Sequence, residues 1–214
     1  VYKRQDMDGA EGLHNLTSDK TANQYVGSTV RAATWNKELA YRMGTIYGDE
    51  CLANGISGMY GMTVNIHRSP FGGRNFEYYS EDTFITSEMA YNVSKGLKNT
   101  GRYAYLKHFV LNDMEIGRMF MYTWCTEQAL RETYLKAFEK SVKTGMVNGL
   151  MTTYGRIGGC YTGGSEALIE GVARTEWGFK GVIVTDYSYD NKFMNIDHGI
   201  SCLLYTSPSP RDST

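Results

Sequence analysis

What most constrains this chain is a series of short, glycine-bounded apolar runs separated by longer amphipathic ones. Gly181-Val-Ile-Val-Thr-Asp186 is the clearest, an apolar strand closed by a carboxylate. Residues 56–64, 103–109 and 149–154 read the same way. Continuous apolar runs, rather than alternating ones, suit parallel strands that are covered on both faces. Between them, residues 127–143 place Leu130, Tyr134, Leu135, Phe138 and Val142 along one side of a helix. Thr34 is read as the N-cap of a helix that carries Trp35, Leu39, Met43, Ile46 and Tyr47 and stops at Gly55. Residues 87–98 and 165–175 are predicted as further helices, and 65–82 as a long polar and aromatic loop. The pattern supports an α/β barrel or a doubly wound sheet. Polar residues gather at the C-terminal ends of the strand candidates, where barrel enzymes build their sites, and this favours the barrel.

With 214 residues there is room for one sizeable core and not for two full domains. A net charge of −1 leaves no electrostatic footprint for nucleic acid or an anionic membrane. No apolar run approaches the roughly 20 residues of a membrane helix. The expected partner is a small neutral molecule. Cys51, Cys125, Cys160 and Cys202 lie far apart, with no CxxC or Cys/His spacing. They are predicted to be buried thiols rather than disulfides or metal ligands, which favours a reducing, cytoplasmic setting. Residues 1–5 and 201–214 break the character of the rest, and two of the three prolines fall in the second stretch. Both read as a non-native leader and tail.

Each polar strand end has a bland explanation when taken alone. Asp186 could cap a turn, Lys107 and His108 could line an exposed edge strand, and Arg74 and Arg118 could be solvated. Together they change meaning. Two arginines, a lysine and a histidine around one strand-end aspartate predict a carboxylate held ionised by nearby positive charge. Such a carboxylate can attack a sugar's anomeric carbon, while Arg, Lys and His donors bind ring hydroxyls. Phosphate would use the same cations, although no P-loop or GxGxxG is present.

Val64-Asn-Ile-His-Arg-Ser-Pro-Phe-Gly-Gly-Arg-Asn-Phe-Glu-Tyr-Tyr-Ser-Glu-Asp82 resembles, almost residue for residue, the signature loop of family 3 β-glucosidases. So do Asp8-Gly9, Lys107-His-Phe109 with Asn112-Asp113 and Arg118, Met151-Thr-Thr-Tyr154, and the stretch from Glu176 to Asp186, in the right order. The resemblance covers nearly everything from Asp6 to Gly199. It implies that residues 6–200 are part of an N-terminal TIM-type (β/α)8 barrel, an incomplete one. It also implies a retaining, exo-acting β-glycosidase with Asp186 as nucleophile. Asp8, Arg74, Lys107, His108, Arg118 and Tyr154 would then bind the non-reducing-end sugar, with Met151 as a pocket wall. Glu77, Glu81 and Glu115 are expected to orient the neighbouring arginines.

In most β-glucosidases of this family the acid/base is a glutamate of a second, C-terminal domain, which these residues do not include. The branch with a His–Asp acid/base after a KHFPGHG-like motif does not fit Lys107-His-Phe-Val-Leu-Asn-Asp113. Ala10, Gly155 and Tyr187 stand where the family commonly has proline, asparagine and tryptophan. The implied partner is a β-glucoside or oligosaccharide, with no metal or organic cofactor, no nucleic acid and no membrane. A β-xylosidase of the same family, a carbohydrate-binding fragment without turnover, and a barrel lyase with Lys107 as Schiff base are the other readings.

Overall fold

The computed structural model describes residues 5–14, 16 and 20–187. Residues 1–4, the tail at 201–214 and Cys202 lie outside the described residues. Five strands form one sheet: β1 (Asp6–Asp8), β2 (Gly58–Thr63), β3 (Tyr103–Phe109), β4 (Gly149–Thr152) and β5 (Val182–Val184). Their spatial order is their chain order, and every neighbouring pair is parallel. With no reversal of order, right-handed crossovers return every helix to the same face. A doubly wound sheet needs a switch point and helices on both faces. The sheet therefore curls into part of a TIM-type (β/α)8 barrel, as the strand-end polar residues suggested.

The crossovers are helical. They comprise α1 (Ser28–Ala33), α2 (Lys37–Ala53), α3 (Thr83–Asn99) and a run made of Glu127–Ala129, Leu130–Leu135 and Lys136–Lys143, followed by Ala167–Glu176. Leu130–Leu135 and Ala167–Glu176 are wound in wider π-type turns. The two faces of the sheet differ by one residue of register. Met59, Ala104, Leu106, Leu150 and Ile183 point outward into a core completed by helical Tyr47, Val93, Leu97, Phe138 and Ile169. Tyr105, Met151 and Val184 form a second, inner cluster with Tyr60 and Tyr103 against it. At its base, Asp6 accepts the hydroxyls of Tyr103 at 2.7 Å and Tyr105 at 2.9 Å. These bonds tie edge strand β1 to β3 across β2.

Some local expectations need correction. Thr34 does not cap α2; it closes the unpredicted α1, and Asn36 caps α2 by accepting the Leu39 N–H at 3.0 Å. Trp35 takes the left-handed turn between the two helices, at φ 54. Helix α3 begins at Thr83, four residues before the predicted start, because Asp82 accepts the Ile85 N–H at 2.7 Å. Cys51 is buried as expected, and burial raises its thiol pKa to about 12. Cys125 and Cys160, expected to be buried, are exposed. They lie in or beside a small sheet of Tyr122–Thr123, Arg156–Ile157 and Cys160–Tyr161, built from the loops that follow β3 and β4 and lacking a core of its own. All three are free thiols. Among the described residues no helix is long and apolar enough to cross a membrane.

Helices α2 and α3 meet backbone to backbone through two glycines. A Cβ on Gly44 would lie 1.9 Å from the Val93 carbonyl oxygen, and one on Gly96 2.1 Å from that of Tyr41. No rotamer change relieves a clash with backbone. Gly96→Ala would gain roughly 1 kcal/mol in an unpacked helix. Here it is expected to cost about 1–3 kcal/mol through overpacking, read as a lower denaturation midpoint. An unchanged or higher midpoint would show that the helices do not cross this closely.

Candidate active site

Lys107 and His108 sit on the middle strand of the sheet and are 5% and 1% exposed, so the edge-strand explanation fails. The register of β3 against β4 slips between Lys107 and Phe109. A bulge of this kind re-aims side chains beside active sites. Lys107 Nζ donates to Asp8 Oδ1 at 2.8 Å, bridging β3 and β1 above Tyr60. Asn65 grips the His108 backbone from both sides. Its Oδ1 accepts the His108 N–H at 2.8 Å, and its Nδ2 donates to the His108 carbonyl at 2.9 Å. That sets the amide, so Oδ1 also faces His108 Nδ1, at 3.4 Å. Nδ1 must then carry the proton, leaving Nε2 to accept from Arg74 Nη1 at 3.1 Å. Burial lowers the His108 pKa well below its usual value, and the charges of Arg74, Lys107 and Arg118 lower it further. His108 is neutral.

Arg74 belongs to the predicted loop, which is pinned at several points. Asp113 Oδ1 accepts the Ile66 N–H at 3.1 Å, and the Glu115 N–H donates to the Gly72 carbonyl at 3.0 Å. His67 Nε2 donates to the carbonyls of Asn75 and Tyr78 at 2.9 and 3.1 Å. Arg74 pairs with buried Glu77, which also accepts the Thr63 hydroxyl at 2.9 Å. Arg118 Nη1 meets Glu115 Oε2 at 2.7 Å, and its guanidinium lies 4.6 Å from the centre of the Tyr154 ring. Glu115 also stands 4.0 Å from Arg74. Glu77 and Glu115 thus hold arginines as expected. Glu81 does not: it is exposed and pairs with no arginine among the described residues.

Asp186 follows β5 by two residues, with its side chain 14% exposed. Its Oδ1 accepts the Tyr187 N–H at 2.7 Å. Its Oδ2 is buried, accepts no well-aligned hydrogen bond from the described residues, and lies 3.6 Å from His108 Nε2. With the His108 proton on Nδ1, both of those atoms carry lone pairs, so no bond joins them. Tyr154 donates its hydroxyl to the Tyr187 carbonyl, and its pKa is raised by burial and then by the Asp186 charge. The expectation that cations hold Asp186 below its usual pKa is overturned. Burial raises it, outweighing the Tyr187 N–H and the charges of Arg118, Lys107 and Arg74. His108 adds no charge, and the other cations are already paired with Glu77, Glu115 and Asp8.

The profile of the glycosyl hydrolase family 3 N terminal domain matches residues 6–199. The chain belongs to this family. A β-glucosidase of Ruminococcus albus is 41% identical over 180 residues, covering 84% of this chain and 19% of that protein. The structure of β-glucosidase 3B from Thermotoga neapolitana in complex with glucose superposes with a TM-score of 0.81 at 38% identity, over 85% of this chain and 26% of that one. β-Glucosidase from Kluyveromyces marxianus in complex with glucose gives 0.88 at 29% identity, over 97% and 25%. The chain spans about a fifth of the length of the curated relatives it matches.

In this family 3 domain the named residues converge on the C-terminal strand ends, with Met151 beside Lys107 in register and packed on Tyr105 and Val184. Asp8, Arg74 and Lys107 also line a cleft of about 330 Å³ together with Glu11, His14 and Phe76. Glu11 and His14 were not predicted, and the one available signal was their place in the glycine-rich run that follows Asp8. A larger groove of about 740 Å³ lies between α3 and Lys136–Lys143, on the outer helical face away from the strand ends.

Asp113, which pins the loop, has its pKa raised to about 6 by burial, opposed by the Ile66 N–H and Arg68. Its unfolded value is about 4. The folded state therefore binds the extra proton between these values, and stability falls as pH rises through about 6. Asp113→Asn should flatten the melting temperature across that window relative to wild type. Parallel pH profiles for the two proteins would contradict the assignment.

Proposed function

We propose that this chain is the nucleophile-bearing part of a retaining, exo-acting β-glycosidase that acts on terminal β-D-glucosyl residues. The observation that carries the reading is Asp186 Oδ2, a buried carboxylate oxygen at a strand end without a well-aligned donor among the described residues, within electrostatic reach of Arg118, Lys107 and Arg74. Buried polar atoms left unsatisfied are rare and call for a partner. Asp8, Arg74, Lys107, His108, Arg118 and Tyr154 bind the hydroxyls of the glucosyl ring, and Met151 walls the pocket. Asp186 attacks the anomeric carbon as the glycosidic bond breaks and the leaving oxygen takes a proton from a general acid. Water, deprotonated by the same group, then attacks the glycosyl ester, releasing the sugar and the Asp186 carboxylate. The general acid is a glutamate outside the described residues, on a C-terminal domain; the greater length of the relatives supports this. Their names and the glucose complexes of the neighbours favour glucosyl over xylosyl substrates.

In the full-length enzyme Asp186→Gly is expected to abolish hydrolysis of nitrophenyl β-glucoside while the protein stays folded. A capping role alone would instead cost roughly 0.5–2 kcal/mol of stability and leave turnover near normal. A 2-fluoro-glucoside with a good leaving group should label the peptide that contains Thr185-Asp186-Tyr187. A label on Asp113 or Glu115 would identify a different nucleophile. Because burial raises Asp186, the acid limb of kcat/KM should lie above the ordinary aspartate value of about 4.

A further inference from the structure

Asn112 is buried in the loop after β3, and its side-chain hydrogen-bond partners, Tyr78, Glu115 and Thr153, are not among the residues placed around the sugar. Every hydrogen-bonding group of its side chain is nevertheless engaged. Nδ2 donates to Glu115 Oε1 at 2.8 Å and to the Tyr78 hydroxyl at 3.1 Å. Oδ1 accepts the Thr153 hydroxyl at 2.8 Å, and the Asn112 carbonyl accepts the Tyr78 hydroxyl at 2.6 Å. The direction of these bonds is determined. Thr153 Oγ1 accepts the Gly155 N–H at 3.2 Å, so its own proton goes to Asn112, and the Glu115 carboxylate can only accept. Beyond Glu115 stands Arg118 at 2.7 Å, stacked on Tyr154, which adjoins Thr153 in the chain. The chain of contacts closes on itself: Thr153, Asn112, Glu115, Arg118, Tyr154.

We infer that Asn112 is a positioning residue that holds Arg118 in the sugar pocket through Glu115. This rests on the reading of Arg118 as a sugar ligand. The amide is required chemically. The isosteric aspartate would turn an acceptor toward Glu115, and two carboxyls at that distance repel unless they share a proton. Apolar packing alone would not distinguish the two side chains. The charged and titratable groups that face this point are Glu115 and Tyr78, with Arg118 and Arg74 behind Glu115.

The test compares wild type, Asn112→Asp and Arg118→Ala in the full-length protein. It measures glucose affinity by calorimetry and kcat/KM for nitrophenyl β-glucoside at about pH 7 and about pH 5. Asn112→Asp should lower kcat/KM about 10–100-fold at the higher pH, the scale of a ligand displaced by an ångström. The loss should lie mainly in KM and in glucose affinity. Relative to wild type, activity should recover at the lower pH, where a shared proton restores a donor toward Glu115. Wild-type behaviour, or a loss of equal size at both pH values, overturns the proposal. If Arg118→Ala is itself silent, the sugar-ligand reading falls and this inference with it. If Arg118→Ala is impaired while Asn112→Asp is not, the relay alone is wrong. Should Asn112→Asp fail to fold, Glu115→Gln replaces it. That variant should show the same KM-weighted loss without recovery at low pH, and wild-type kinetics would refute the relay.

Discussion

Among the described residues, five parallel strands laid down in chain order put the crossover helices on one side of the sheet and leave the other side without a helical cover. The outer face packs as an ordinary apolar core, with Leu106, Leu150 and Ile183 fully buried. The inner face must be filled by its own side chains, and large amphipathic ones do so. Tyr60, Tyr103 and Tyr105 supply area, while the hydroxyls of the last two close on Asp6. Toward the C-terminal edge the inner positions turn polar, from Tyr105 to Lys107 and from Val184 to Asp186. The pocket is thus the upper end of a layered interior, and its polarity follows from where the layers stop.

The same geometry decides the electrostatics. A count of charges around Asp186 points to a depressed pKa, and each cation does pull that way. The carboxylate is nonetheless enclosed by Tyr154, His108 and the strand ends, and removal of water penalises its charge more than the paired cations repay. The bonds to Glu77, Glu115 and Asp8 turn the cations partly away from Asp186 and toward fixed positions. This arrangement favours geometric order over maximal field.

What could be read before the structure follows the physics of each element. The strand at 103–109 is seven residues of mostly apolar, aromatic sequence, and it was legible in full. Strand β1 is Asp6-Met-Asp8, with no apolar run to announce it, and backbone pairing with β2 and side chains of β3 hold it. Thr34 and Asn36 are both good cap residues, and only backbone geometry shows which one bonds into α2. Two-residue strands such as Tyr122–Thr123 carry no periodicity at all, so the exposure of Cys125 and Cys160 beside them was hidden too. That these residues gather at the C-terminal strand ends was legible through motif resemblance. The sign of the Asp186 shift was not, because sequence counts charges and burial has to be seen.

The grip of Asn65 on His108 has a consequence for how the site responds to its surroundings. An imidazole whose Nδ1–H is oriented by a carboxylate readily gains a second proton; one whose Nδ1–H meets an amide oxygen has no anion on that side, and burial opposes the charge. Because that amide is in turn held by main-chain groups, the tautomer is written into the backbone, and the charges of Arg74, Lys107 and Arg118 add to burial in keeping the ring neutral. His108 behaves as a rigid, uncharged spacer between Arg74 and Asp186. A residue type usually associated with switching near neutrality serves here to keep the electrostatic template constant.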